Sequence, residues 1–334
     1  MLVVAKPAGP TSHDVVALVR RLSGTRRVGH GGTLDPFASG VLPLFLGRAT
    51  RLVEYHLADT KAYRATVCFG ATSTTDDLEG ELVPVDGPPV DRAAVEAALN
   101  GFRGEIEQRP PAYSAVKVAG RRAYARARAG EVVELSPRRV RIDRLDLVDW
   151  DDADPARPVA VLDVECSAGT YVRSVARDLG AAVGSGAYLG ALSRTSSGAF
   201  RLADAVPLDD IRSLAAAGPG GLASLLMPID AGLDELPELA IGPADVAAVA
   251  RGQFIRAPES MPADGDRPIR LRDGGGRLVA IAGRRGGQLM PDKVLVDPVP
   301  AGPGASSAFA EASAASEADP SLDIDPDPAS PDDV

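Results

Sequence analysis

VAVLDVECSAGTYVRSVARDLG, residues 159–180, reads as strand, tight turn and helix in direct succession. Val159 to Ser167 is a strand-like apolar run and Ala168-Gly169-Thr170 supplies the turn. Val172, Val175, Ala176, Leu179 and Val183 then repeat at helical spacing. Upstream, KAYRATVCF (61–69) alternates so that Tyr63, Ala65, Val67 and Phe69 share one face, which is the two-residue period of a strand. Further towards the start, Thr11 or Ser12 caps a helix that holds Asp14 in its first turn, repeats Val15, Val19 and Leu22, and stops at Gly24. Between Gly24 and Gly40 the glycines and the Asp35-Pro36 bond predict a loop with no regular element. Residues 91–101 read as a helix, 106–120 as a polar loop entering a strand near Ala115 to Val118, and Arg121 to Ala129 as a basic helix. Past a Gly/Pro-rich stretch at 218–221, short strand-like pieces at 268–299 predict a small β-rich domain.

The 334 residues suffice for two domains, and no uncharged apolar run approaches the ~20 residues that cross a bilayer. The net charge of −10 conceals an uneven distribution. Residues 301–334 hold eight carboxylates and no Lys or Arg, which reads as a solvated acidic extension, and residues 1–300 carry only −2. Residues 1–52 carry seven basic residues against two acids, and 101–144 carry eleven against five. Two basic patches facing one cleft would attract a polyanion, although runs such as Arg121-Arg122 are also ordinary solvated surface. Two cysteines far apart in apolar runs and an opening segment without a signal-peptide pattern predict reduced thiols and a cytoplasmic protein.

Three histidines without ligand spacing to Cys or carboxylates make no metal site. GSGAYLG (184–190) follows a helix instead of a strand, so it is not a dinucleotide loop, and neither a P-loop nor a nucleophile elbow is present. Asp35 remains as a carboxylate projecting from a Gly-rich loop; its other reading is an Asx-turn residue that only accepts backbone hydrogen bonds.

Five blocks occur in order: KPAGPTSHDVV (6–16), VGHGGTLDPFASGVLPLFLGRATRL (28–52), KAYRATVCFGATSTTDD (61–77), RPPAYSAVKVAGRRAYARARAG (109–130) and CSAGTYVRSVARDLG (166–180). Together they closely resemble the TruB family, the bacterial tRNA pseudouridine-55 synthases. The resemblance implies an α/β (α+β) fold with a mixed, mostly antiparallel central sheet and flanking helices, followed by a small C-terminal β-rich PUA-type domain. The implied division is a catalytic domain at 1–227 with an RNA-binding insertion at about 109–141, an RNA-binding domain at 228–299, and an acidic tail at 300–334. The implied reaction isomerises uridine 55 in the T loop of tRNA, with no cofactor, no metal, no membrane, and a monomer acting on the T stem-loop.

By the same resemblance Asp35 is the nucleophile, which suits a carboxylate able to add and then leave. Arg173 is its partner, expected to grip it through two parallel hydrogen bonds. Tyr63 packs on the uracil, its other reading being a core strand tyrosine. His30 contacts the remodelled RNA loop. Lys6, Tyr171 and Leu192 line the substrate pocket, with structural lysine and plain core as the other readings of Lys6 and Leu192. Arg121 and Arg122 are expected to meet RNA phosphates. Gly31 and Thr33 depart from the commoner Thr and Ala, and Ser193 stands where Arg is frequent, leaving one expected phosphate contact without its arginine. Two readings of other classes stay open: an RNA-binding protein without catalysis, and a hydrolase that stops after releasing the base.

Overall fold

A computed structural model of the chain describes residues 1–114, 117–118, 121–123, 126, 131, 135–258 and 267–298. Met1–Val296 form one compact unit. The strands of its first half are β1 (Leu2–Lys6), β2 (Val28–His30), β3 (Ser39–Leu46), β4 (Lys61–Phe69), β5 (Ala71–Ser73), β6 (Leu82–Pro84), β7 (Gly104–Gln108), β8 (Lys117–Val118) and β9 (Arg121–Arg122). There follow β10 (Arg138–Asp151), β11 (Val159–Cys166), β12 (Ala187–Ser197), β13 (Phe200–Arg201) and β14 (Val206–Pro207). The last five are β15 (Glu238–Ala240), β16 (Ile255–Arg256), β17 (Ile269–Arg272), β18 (Leu278–Arg285) and β19 (Gln288–Val294).

Ten strands make the main sheet, in the order β14-β1-β3-β12-β4-β11-β10-β7, with β2 on β3 and β13 on β12. Only β1 with β14 and β3 with β12 run parallel, so the sheet is mixed and mostly antiparallel, as the resemblance implies. At its centre β11 turns Ala160, Leu162, Val164 and Cys166 inward on the two-residue period, and β4 does the same with Ala65, Val67 and Phe69. The helix Val172–Ala182 packs Val172, Val175, Ala176 and Leu179 into that core, each valine or leucine contributing about 1.5–3 kcal/mol by leaving water. Its Gly180 passes so close to β12 that a Cβ there would lie 2.1 Å from the Ala187 nitrogen, so only glycine permits the contact. The Ser12–Ser23 helix covers the sheet through Val15, Val16 and Val19. It begins with a capping box between Thr11 and Asp14 and ends at Gly24, whose φ of 64° is the left-handed stop.

Three local expectations change. Val28–His30 is a strand, because its backbone pairs with Leu44 to Leu46 of β3 despite the glycine. Residues 106–108 belong to β7, which the long β10 recruits at its Val140 side. Arg121-Arg122 pair with Lys117-Val118 as a short hairpin instead of opening a helix. Most of the segment 115–134 and the tail 300–334 lie outside the described residues.

A five-stranded sheet, β15-β17-β18-β19-β16, forms the C-terminal β-rich part around Leu271, Val279, Ala280, Ala282 and Leu289. It packs against the helical turn that follows β3 and the segment at Leu233 through a cluster of Leu52, Leu233, Leu278, Ile281 and Leu295. The Arg48 and Arg51 guanidiniums donate to the Leu295 and Val294 carbonyls at 2.9 and 2.6 Å, and Lys293 pairs with Glu54.

Candidate active site

The loop between β2 and β3 is held by the backbone on both flanks of Asp35. Ser12 donates its hydroxyl to the Leu34 carbonyl and accepts the Leu34 N–H, at 3.0 and 2.9 Å. The Pro36 carbonyl accepts from the Gly9 N–H at 2.8 Å and from the Lys6 ammonium at 3.3 Å. Leu34 and Ala38 are buried in the main core. The glycine-rich stretch is therefore an ordered loop, and Asp35 projects from between two anchored neighbours.

Asp35 meets Arg173, which enters from the first turn of the Val172–Ala182 helix. Arg173 Nε lies 3.0 Å from Asp35 Oδ2, yet the N–H does not point along that contact, so the two form an ion pair and not a hydrogen bond. The other face of the guanidinium is occupied. Nη1 reaches Asp77 Oδ2 and the Thr75 carbonyl, both at 3.2 Å, and Nη2 donates to the Tyr113 carbonyl at 2.9 Å. The expected two-bond grip of Arg173 on Asp35 is thus replaced by a shared cation, because the buried Asp77 holds one nitrogen of the fork. Asp77 is in turn fixed by the Thr75 hydroxyl at 2.5 Å and the Glu79 N–H at 3.0 Å.

Exposure separates the two carboxylates. The side chain of Asp77 is 3% exposed and that of Arg173 6%, whereas Asp35 keeps 34% of its side-chain surface open. Asp35 is the carboxylate a ligand can reach. Burial pushes its pKa above the usual carboxylate range; Arg173 opposes the rise, Asp77 adds to it, and Lys6 opposes it more weakly. The result is a more basic carboxylate that a cation still steers. Among the described residues no loop N–H donates to its oxygens, which goes against the Asx-turn reading.

Tyr63 sits on β4 opposite Arg194 of β12. Burial pushes its hydroxyl pKa up, and Arg194 opposes that both by charge and by a side-chain hydrogen bond, so the phenol stays protonated at neutral pH. His30 is pulled down to about 4, by burial first and then by His13 and Arg194. It is neutral under ordinary conditions, and its Nδ1 accepts the Gly32 N–H at 3.4 Å, which puts the ring proton on Nε2. Tyr171 precedes the Arg173 helix. Its backbone N–H and carbonyl are both taken by the Gln108 amide, and the Arg138 guanidinium lies 4.6 Å over its ring.

Lys6 donates to the carbonyls of Pro7, Pro10 and Pro36, an arrangement that favours the structural reading while keeping its charge near Asp35. Leu192 packs in the main core. The side chains of Arg121 and Arg122 lie outside the described residues. Two site residues escape a reading of the sequence: Asp77, whose only signal is the acidic pair ending TSTTDD, and Arg194. Ser193 stands where an arginine is frequent, and the next residue is an arginine with 2% exposure.

Known proteins resemble this chain over most of its length. Residues 20–172 match the TruB family pseudouridylate synthase (N terminal domain), and 173–234 match the tRNA pseudouridylate synthase B C-terminal domain. The chain is 44% identical over 299 residues to tRNA pseudouridine synthase B of Bradyrhizobium diazoefficiens, covering 88% of this chain and 85% of that one. It is 45% identical over 262 residues to the same-named protein of Geobacillus kaustophilus, covering 77% and 91%. Among solved structures it resembles a Cbf5-Nop10-Gar1 complex with a TM-score of 0.66 and 26% identity, over 89% of this chain and 85% of that one. With identity of this order across nearly all of its described fold, the chain belongs to the TruB family of pseudouridylate synthases.

Proposed function

We propose that this enzyme converts uridine 55 in the T loop of tRNA to pseudouridine, with Asp35 as the nucleophile. The observation that carries the proposal is the pairing of a reachable, raised-pKa carboxylate with a buried arginine beneath it. The tRNA substrate is supported by the names of the relatives. The reaction breaks the bond from ribose C1′ to uracil N1 and forms one to C5, while the proton on C5 is lost and N1 gains one, so nothing is consumed and no cofactor is needed. Asp35 adds to the sugar or base and leaves again. The uridine must leave its stack to reach the carboxylate, and Tyr63 supplies an aromatic face in place of the lost neighbours. As a protonated phenol, Tyr63 is a packing surface before it is a base. His30, neutral and beside His13, presents a ring edge to the displaced loop. By the family resemblance Tyr171, Lys6 and Leu192 are the further residues of the nucleotide pocket.

In this reading residues 1–227 carry the chemistry, the basic insertion at 109–141 with Arg121 and Arg122 meets phosphates, and 228–299 adds a second RNA contact. The protein works as a cytoplasmic monomer. The test incubates full-length tRNA with the enzyme and maps pseudouridine at single-nucleotide resolution. Conversion at position 55 alone is the expected result. Binding without conversion would point to a non-catalytic RNA-binding protein, and release of free uracil to a hydrolase.

A further inference from the structure

Arg194 is the largest side chain among the fully buried ones, and among the described residues no carboxylate lies within ion-pair distance of it. A buried guanidinium without a counter-charge must be held by oriented dipoles. Those dipoles come from the two ends of one loop. Nη2 donates to the Gly32 carbonyl at 3.0 Å and Nη1 to the Thr33 carbonyl at 3.3 Å, before Asp35. Nε donates to the Val41 carbonyl at 2.8 Å, after it. The loop wraps the strand that carries Arg194 so closely that a Cβ on Gly40, at φ +113°, would lie 2.2 Å from the Arg194 carbonyl oxygen. Tyr63 stands directly opposite Arg194 in the β4–β12 pairing, so the guanidinium's charge bears on its hydroxyl as well. One rigid planar group therefore fastens both ends of the nucleophile loop and faces, across the strand pairing, the residue whose ring is expected under the base.

We infer that Arg194 is a positioning residue that sets the distance between Asp35 and Tyr63, so that carboxylate and aromatic face meet the same nucleotide in register. The inference rests on the proposed roles of Asp35 and Tyr63. Arginine is required because its three nitrogens lie in one plane with fixed separations; a lysine supplies the charge from a single point and cannot hold Gly32, Thr33 and Val41 together.

The test measures single-turnover conversion at saturating T stem-loop RNA, RNA affinity, and thermal midpoint for Arg194→Lys, Arg194→Gln, Tyr63→Phe, Asp35→Asn and the double variant Arg194→Lys/Tyr63→Phe. For Arg194→Lys the expected result is a rate about tenfold or more below wild type with RNA affinity within about threefold, since the side chain touches no solvent-facing surface. Arg194→Gln, which loses the charge as well, is slower still. The double variant is no more than about threefold slower than the slower single variant, because both changes disturb the same alignment. Should the glutamine variant not fold, the lysine variant carries the decision, and failure of both to fold overturns the inference by making Arg194 a folding residue. A wild-type rate in Arg194→Lys overturns it, as do losses confined to RNA affinity or folded fraction, or losses that multiply with those of Tyr63→Phe. Conversion by Asp35→Asn would remove the nucleophile assignment instead, so the two failures are distinguishable.

Discussion

Arg173→Lys keeps a positive charge at the site while removing the geometry that lets one cation serve two carboxylates. Arg173 contacts Asp35 at 3.0 Å through Nε, Asp77 and the Thr75 carbonyl at 3.2 Å through Nη1, and the Tyr113 carbonyl at 2.9 Å through Nη2. A lysine offers one nitrogen, and the more deeply buried Asp77 competes for it more strongly than the partly open Asp35. Asp35 then loses its steering contact. A hydrogen bond or contact to a charged group is worth about 1.5–3 kcal/mol, less in the free enzyme where water screens Asp35 and more once a nucleotide covers it. Taking about 2–4 kcal/mol for the covered state gives a rate loss of roughly 30- to 1000-fold. RNA affinity should stay within about threefold, because Arg173 lies beneath the carboxylate and offers the RNA little surface. The acid limb of the pH–rate profile moves up as well, since Arg173 is the largest influence opposing the burial-driven rise of the Asp35 pKa, and Asp35, as the proposed nucleophile, acts in its ionised form. Rapid-quench single-turnover kinetics at saturating RNA from pH 5 to 8 read both effects. A loss below about fivefold, or an acid limb that moves down, would refute the shared-cation account.

Asp77→Asn acts in the opposite sense on protonation. It removes an anion that raises the Asp35 pKa, so the acid limb moves down, while the misdirected guanidinium lowers the plateau rate by about 10- to 100-fold. A pH–rate profile shows whether the two changes occur together. Burial pulls the Lys6 ammonium down to about 8. The three carbonyls it holds lose a donor as pH rises through that value, so an alkaline limb near pH 8 is expected in the wild type and should vanish in Lys6→Met. His30, held near 4, should show ring proton shifts by NMR that are flat between pH 6 and 8, whereas a midpoint near 6.5 would contradict its burial against His13 and Arg194.

Much of this architecture is legible in the chain because short-range rules decide it. The alternation in 61–69 and 159–166, the Thr11–Asp14 cap and the Gly24 stop each become the element they predict. What is not legible is set by pairing across long separations. Val28–His30 becomes a strand only because β3 lies beside it, and Gln108 joins β7 only because β10 extends far enough to pair it. The same limit applies at the site. Asp35 stands out through its loop, and Arg173 through the motif it belongs to. Asp77 is drawn in from 96 residues away along the chain, and nothing local marks one acid of an acidic pair as the buried one. Arg194 looks like any arginine in a polar strand, and only the wrapped loop makes it interior.

The most direct measurement of the central claim is single-turnover conversion of T stem-loop RNA by Asp35→Asn, with the product mapped at nucleotide resolution and binding measured on the same preparation. The account predicts retained RNA binding with no pseudouridine at position 55. Pseudouridine formed there at a rate comparable to wild type would contradict it.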